Sequence, residues 1–221
     1  RPMTFSQIKG ITSFDDGIYF GEYICNPSKK PIAIYKRVSQ DNWSKVFQFP
    51  NRAIEHVHNV VADKHNDTVY IFTGDFDNSA GIWVAENGFQ SVKPILIGRQ
   101  EYRGCVGFST TEGLIYATDS PYIKNSIRLL KKKDGSWESQ KLADINGPSI
   151  YGCQWGEDFV FSTSVESSSY NYGILYKLFG NKRGIGVIKR SSFIYKGNLK
   201  NGFKEIYSSK KDILPFFLFQ F

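Results

Sequence analysis

Val69-Tyr70-Ile71-Phe72-Thr73-Gly74-Asp75 is a run of β-branched and aromatic residues that stops at a glycine and a carboxylate. Residues of this kind fit a pleated, half-buried surface, and Gly-Asp is a turn-forming pair. The same design returns at Gly17-Ile18-Tyr19-Phe20-Gly21-Glu22, at Leu114-Ile115-Tyr116-Ala117-Thr118-Asp119 and at Phe159-Val160-Phe161-Ser162-Thr163-Ser164. Successive copies end roughly 44 to 53 residues apart, which makes the run one strand of a repeating unit.

A second strand follows each copy, as Ile34-Tyr35-Lys36, Ile82-Trp83-Val84, Ile127-Arg128-Leu129 and Ile174-Leu175-Tyr176. A polar turn running into an aromatic comes next, at Asp41-Asn42-Trp43, Glu86-Asn87-Gly88-Phe89, Asp134-Gly135-Ser136-Trp137 and Asn201-Gly202-Phe203. The last interval of this third marker is longer than the others and holds an insertion. Three markers in phase, at about 40 to 50 residues per unit, are the signature of propeller blades. A β-sandwich of irregular hairpins would not keep them in step, and no segment holds a 3.6-residue apolar period. The expected fold is therefore all-β, a β-propeller of four-stranded antiparallel blades forming a single domain over residues 1–221. Four to five blades are visible. Ile8 to Phe14 reads as an innermost strand and Leu214 to Phe221 as the first strand of a further blade, so the chain reads as a fragment of a larger ring.

The composition agrees. The 221 residues are 41% hydrophobic, 22% charged and 16% aromatic, with Phe 18 and Tyr 13 against a single Met, which excludes disorder, collagen and coiled coil. No apolar stretch approaches the roughly 20 residues that span a bilayer, and Arg1 to Gly10 lack the design of a signal peptide. The net charge of +7 favours polyanionic partners such as acidic polysaccharide. No nucleic-acid motif accompanies it. Cys25, Cys105 and Cys153 form no CxxC pair, and their odd number fits buried thiols or a reducing compartment such as the cytoplasm.

The polar-turn-plus-aromatic marker, best seen in Ser39-Gln40-Asp41-Asn42-Trp43 and Lys133-Asp134-Gly135-Ser136-Trp137, resembles a degenerate Asp-box. Gly21-Glu22-Tyr23, His56-Val57-His58-Asn59, Thr73-Gly74-Asp75, Gln100-Glu101-Tyr102-Arg103 and Thr118-Asp119-Ser120-Pro121 follow in order. Together they resemble bacterial BNR-repeat, sialidase-like propellers of poorly defined activity, over about three quarters of the chain. The resemblance implies a propeller and carbohydrate work. It does not supply the arginine triad of true sialidases.

In a propeller, the start of each innermost strand meets the end of the second strand, because the two form an antiparallel hairpin. First-strand starts supply Glu55, His56 and His58, then Tyr102 and Arg103, then Tyr151 and Gln154, while second-strand ends supply Glu22, Asp75, Asp77 and Asp119. His56 and His58 alternate along a strand and so share a side. As base and orienter, with Tyr102 or Tyr151 as acid, they would serve β-elimination on a uronate polymer. Arg103 would then clamp the uronate carboxylate, with Asp119 and Gln154 as further substrate contacts. Glu22, Asp75 and Asp119 could include a glycosidase pair, so a hydrolase using Glu22 or Asp75 with a second carboxylate is the alternative. A structural reading stands beside each: Arg103 as an interblade ion pair, the tyrosines as packing, Asp119 as a turn-closing residue. His56 and His58 could instead hold a metal with Asp75, but one carboxylate is the only further ligand in sight, and neither a metal nor another cofactor is expected. The expected partner is an anionic polysaccharide or another glycan, and a non-catalytic propeller recognising a glycan or protein is the rival function.

Overall fold

The structure is a computed structural model, and it describes residues 11–14, 17–167 and 182–214. Among these residues the chain forms sixteen strands in four antiparallel sheets, each of four strands in sequence order. The first sheet holds β1 (Ile11–Phe14), β2 (Gly17–Gly21), β3 (Ile32–Arg37) and β4 (Trp43–Phe49), and the second β5 (Val57–Asp63), β6 (Thr68–Thr73), β7 (Gly81–Glu86) and β8 (Ser91–Ile97). The third holds β9 (Gly104–Thr110), β10 (Gly113–Thr118), β11 (Ser126–Lys133) and β12 (Ser136–Asp144). The fourth holds β13 (Ser149–Trp155), β14 (Asp158–Thr163), β15 (Ser191–Asn198) and β16 (Gly202–Lys210). The sole helical element among the described residues is a 3-10 turn at Gln100–Tyr102. This is the meander of propeller blades, with β1, β5, β9 and β13 lying side by side as innermost strands.

The second and third sheets are apolar on both faces, and strand alternation sorts the faces between neighbours. On β6, Val69 and Ile71 pack with Tyr19, Ile32, Ile34 and Phe49 of the first sheet, while Tyr70 and Phe72 pack with Leu114, Tyr116 and Leu130 of the third. On β10 the other register, Ile115 and Ala117, joins Phe159, Phe161 and Phe193 of the fourth. The core is thus a series of layers between consecutive blades, and no blade covers itself.

The repeat is written in the defects too. In every sheet the third and fourth strands slip by one residue at the same place, leaving Val46, Ile95, Leu142 and Ile206 as the extra residues. Between first and second strands, a matching bulge falls at His58, Cys105 and Ile150. Bulges bend a strand and re-aim a side chain, and here they sit at one end of the innermost strands.

One strand differs from the sequence reading. The third strand of the fourth blade is Ser191–Asn198, paired with β14 through Phe161 and Tyr195, rather than the run at Ile174-Leu175-Tyr176, which lies outside the described residues. The insertion therefore falls between the second and third strands of that blade. Ile8 to Gly10 and the stretch after Leu214, expected to be strand, also lie outside the described residues.

Candidate functional site

The axial cluster forms where the bulged ends of β5 and β9 meet the ends of β6 and β10. Gly74 adopts φ +72°, and a Cβ there would meet the carbonyl oxygen of Ser79 at 2.2 Å, so only glycine makes this turn without strain. The turn delivers Asp75. Its backbone N–H donates to Glu55 Oε2 at 3.3 Å, and its carbonyl accepts from Gln100 Nε2 and Arg103 Nη1, both at 3.1 Å. Glu55 is buried, takes hydrogen bonds from Ser79 and pairs with Lys29 at 2.9 Å.

His56 precedes β5 and His58 is its bulge residue, so the simple alternation expected of them is broken, yet the rings still meet. Their Nε2 atoms lie 2.9 Å apart. Asp75 faces both, with Oδ1 3.2 Å from His58 Nε2 and Oδ2 3.4 Å from His56 Nε2. Arg103 Nη2 reaches Asp75 Oδ1 at 3.1 Å and Asp119 Oδ2 at 3.6 Å, and the Cys105 thiol donates to Asp119 Oδ2 at 3.0 Å. Tyr23 packs against His56 with ring centroids 4.2 Å apart and the rings tilted by 42°. Two sets of donor atoms, from His56, His58 and Asp75 and from His58, Cys105 and Asp119, each lie within 4.8 Å of one another and could hold a metal ion.

Burial sets the protonation. Taking His58 out of water disfavours the imidazolium, and the charges of His56 and Arg103 add to this, so its pKa falls despite the bond to Asp75. Burial alone would raise the Asp75 carboxyl, but the His56 and His58 imidazoles beside it and the charge of Arg103 hold it well below the ordinary carboxylate range. Burial opposes the Arg103 charge, and Asp119 and Asp75 more than restore it. Burial, with Cys105, Asp75 and Asp119 nearby, pushes the Tyr23 hydroxyl up to about 12, which keeps it a donor at neutral pH.

His56, His58, Asp75, Arg103 and Asp119 are therefore brought together from two consecutive blades, as the strand order implies. Four other candidates are not. Glu22 accepts the backbone N–H of Ala33 at 2.7 Å and lies 3.3 Å from the Tyr35 hydroxyl, so it fastens β2 to β3 instead of entering the cluster. Tyr102 packs on the core between the second and third blades. Tyr151 is 64% exposed on β13. Gln154 pairs with Phe159 and lines a cleft with His65 and Ser109, at the far end of the innermost strands, because β13 begins at Ser149 and runs five residues before reaching it.

Asp119 does not close its own turn. Asn125 does so, accepting from Ser120 N at 2.8 Å and Thr118 Oγ1 at 2.9 Å and donating to Ser120 O at 2.8 Å, which frees the Asp119 carboxylate for Cys105 and Arg103. Tyr23 and Cys105 are the site residues that sequence reasoning missed. Cys105 stands one repeat after His58, at the same bulge, and that phase was the signal for it.

Beside the cluster runs an open groove of about 580 Å³, lined by Phe76, Asp77, Asn78, Gln100, Tyr122 and Ile123. Phe76 and Tyr122 are 54% and 38% exposed. Gln100 joins groove to cluster, since its side chain lines the one and donates to the backbone of Asp75 in the other.

No protein-family model and no curated protein sequence matches the chain. Solved propeller structures do. The chain is similar to the Bacteroides ovatus xyloglucan PUL GH43B protein at 9% identity and a TM-score of 0.50, over 95% of this chain and 42% of that one. It is similar to a prolyl endopeptidase at 10% identity and a TM-score of 0.50, over 88% of this chain and 26% of that one. The N-terminal domain of Nup159 aligns at 12% identity with a TM-score of 0.43, over 89% of this chain and 47% of that one. The chain spans less than half the length of each. At these identities the first two likenesses show the fold, a β-propeller, and nothing finer.

Proposed function

We propose that this propeller is a glycan-binding protein whose groove between the second and third blades holds a sugar segment beside the axial cluster. The observation that carries the reading is the lining of that groove: two partly exposed aromatic rings, Phe76 and Tyr122, with Asn78, Asp77 and Gln100 around them. A pyranose offers an apolar C–H face that lies flat on an aromatic ring and hydroxyls that need amide and carboxylate partners. Concave sites with an apolar lining and a few placed polar groups suit such ligands. The resemblance to BNR-repeat propellers and the fold shared with a GH43 protein support the same class.

Binding is favoured over catalysis because the cluster's polar groups are paired with each other. Arg103, the expected uronate clamp, is already held by Asp75 and Asp119. With its guanidinium spent on two protein carboxylates, Arg103 is not offered to a uronate, which favours neutral sugar hydroxyls. Equilibrium titration with neutral and uronate oligosaccharides tests the reading. Neutral oligosaccharides should bind, with a loss of tenfold or more in Phe76→Ala and in Tyr122→Ala, while Gln154→Ala binds as the parent does. Absence of binding across the panel, or binding indifferent to both aromatic changes, would overturn it.

A further inference from the structure

We infer that His56, His58 and Asp75 form a zinc site at the end of the innermost strands, against the expectation from sequence that no metal is held. The inference stands on coordination geometry and not on the glycan reading.

The first observation is the tautomer. His56 Nδ1 lies 3.3 Å from the backbone carbonyl of Ile24. A carbonyl only accepts, so in the neutral ring the proton sits on Nδ1 and Nε2 carries a lone pair. Metal-binding histidines are oriented in this way, by giving the other ring N–H to a backbone carbonyl. That lone pair points at His58 Nε2, 2.9 Å away, and at Asp75 Oδ2, 3.4 Å away.

Proton counting is the second. With both rings neutral, a single proton on His58 Nε2 serves the convergence and can satisfy either His56 Nε2 or Asp75 Oδ1. Asp75 Oδ2 and His56 Nε2 are then left as acceptor against acceptor. One divalent cation among the three groups takes the facing lone pairs, with the His58 proton moved to Nδ1, a buried atom without a hydrogen-bond partner among the described residues. The two Nε2 atoms lie 2.9 Å apart and the two Asp75 oxygens 3.2 and 3.4 Å from them, near the roughly 3.3 to 3.6 Å between ligands that each sit about 2.0 to 2.2 Å from a tetrahedral zinc, so the histidine pair opens by a few tenths of an ångström to take the ion.

The surroundings agree. Asp75 Oδ1 is also bonded by Arg103, an outer contact that orients the carboxylate, and Asp119 balances that guanidinium. The Asp75 side chain is 31% exposed and gives an ion a way in, with a fourth position open toward water. The rival set of His58, Cys105 and Asp119 is buried throughout, and its thiol is engaged by Asp119. Two imidazoles and one carboxylate suit zinc better than the hard-oxygen cations.

The test is metal binding by protein stripped with chelator, without any sugar present. Zinc(II) at about a hundredfold excess over its Kd should raise Tm by roughly 5 to 10 °C, and cobalt(II) should give the visible absorption of a four-coordinate site at one equivalent. His58→Ala should abolish both responses. Asp75→Asn, which keeps the shape and hydrogen bonding at its position, should weaken zinc binding tenfold or more, so the result does not hang on the folding of a histidine variant. Cys105→Ser should bind as the parent does. A stripped parent protein with neither response, retention of both in His58→Ala, or their loss in Cys105→Ser would overturn the assignment. Each readout is independent of Phe76 and Tyr122, so failure here leaves the groove untouched and failure of sugar binding leaves the metal site standing.

Discussion

Arg103 Nη2 lies 3.1 Å from Asp75 Oδ1, an ion pair that ties the third blade to the second at the axial end of the innermost strands. The same nitrogen is 3.6 Å from Asp119 Oδ2, and Nη1 bonds the Asp75 carbonyl, so one guanidinium holds two carboxylates and a main-chain oxygen. Removing one partner of a buried pair leaves the other charge uncompensated. Arg103→Ala should cost about 3 kcal/mol, the low end of the range for buried pairs, because Asp75 is partly exposed. Arg103→Lys should recover less than half, since an ammonium cannot reproduce the fork. Urea unfolding midpoints measure both, and an alanine variant within about 0.5 kcal/mol of the parent would deny the pair its joining role.

The opposite end of the same strands is fastened by Asp63, which is fully buried and accepts from Ser109 Oγ at 2.7 Å, Asn66 Nδ2 at 2.8 Å and the backbone N–H of His65 at 3.1 Å. Burial would raise its pKa, but these bonds and the Tyr70 hydroxyl outweigh it, and the carboxyl titrates below its ordinary value. A folded-state pKa below the unfolded value of about 3.9 means the contribution is fully present above that value and drains away as pH falls through the folded one. The protein should therefore hold its stability from neutral pH down to about pH 5 on account of this group and lose it below about pH 4. Asp63→Asn should be less stable at pH 7 and decline less steeply below pH 4. A parallel pair of curves would contradict the assignment.

Asn125 is fully buried at the turn after β10, where it accepts from Thr118 and Ser120 and donates to Ser120 O at 2.8 Å and Gly186 O at 3.1 Å. Asn125→Ala strands those groups without water and should cost about 2 to 3 kcal/mol. Asn125→Asp keeps the acceptors and loses both donors, so its unfolding midpoint should also drop. Thermal denaturation of the two variants reads this directly.

The architecture was legible because blade packing needs β-branched and aromatic residues on both faces of every second strand, and that demand repeats with the period. Val69 to Phe72 and Leu114 to Ala117 show it without reference to any fold. What the period could not show was the direction of individual side chains. Glu22, Asp75 and Asp119 occupy like places at second-strand ends, yet Glu22 turns to Ala33 and Tyr35 while Asp75 turns to the axis, a choice made by Gly74 and by the absence of a comparable arginine near Glu22 among the described contacts. Gln154 was misplaced for a simpler reason. At about 3.3 Å per residue, five residues carry the chain roughly 16 Å, close to the far end of the seven-residue β13. In the fourth blade, Ile174-Leu175-Tyr176 and Phe193-Ile194-Tyr195 are equally strand-like, and only the long-range pairing of Phe161 with Tyr195 selects the second.

Two glycines separate backbone conformation from crowding. Gly74 and Gly88 have φ of +72° and +62°, both in the left-handed region, but a Cβ on Gly88 meets nothing within 4 Å whereas one on Gly74 meets Ser79 O at 2.2 Å. Alanine at either position suffers the left-handed conformation, roughly 1 to 2 kcal/mol. Gly74→Ala must in addition push apart the turn that runs to Ser79 and Ala80, and it should cost at least twice as much as Gly88→Ala in denaturant unfolding. Because that turn carries Asp75, Gly74→Ala should also lose the cobalt(II) absorption that Gly88→Ala keeps. Equal costs would mean that crowding at Ser79 relaxes freely, and an unaltered spectrum in Gly74→Ala would mean that Asp75 is positioned by Arg103 and Gln100 alone.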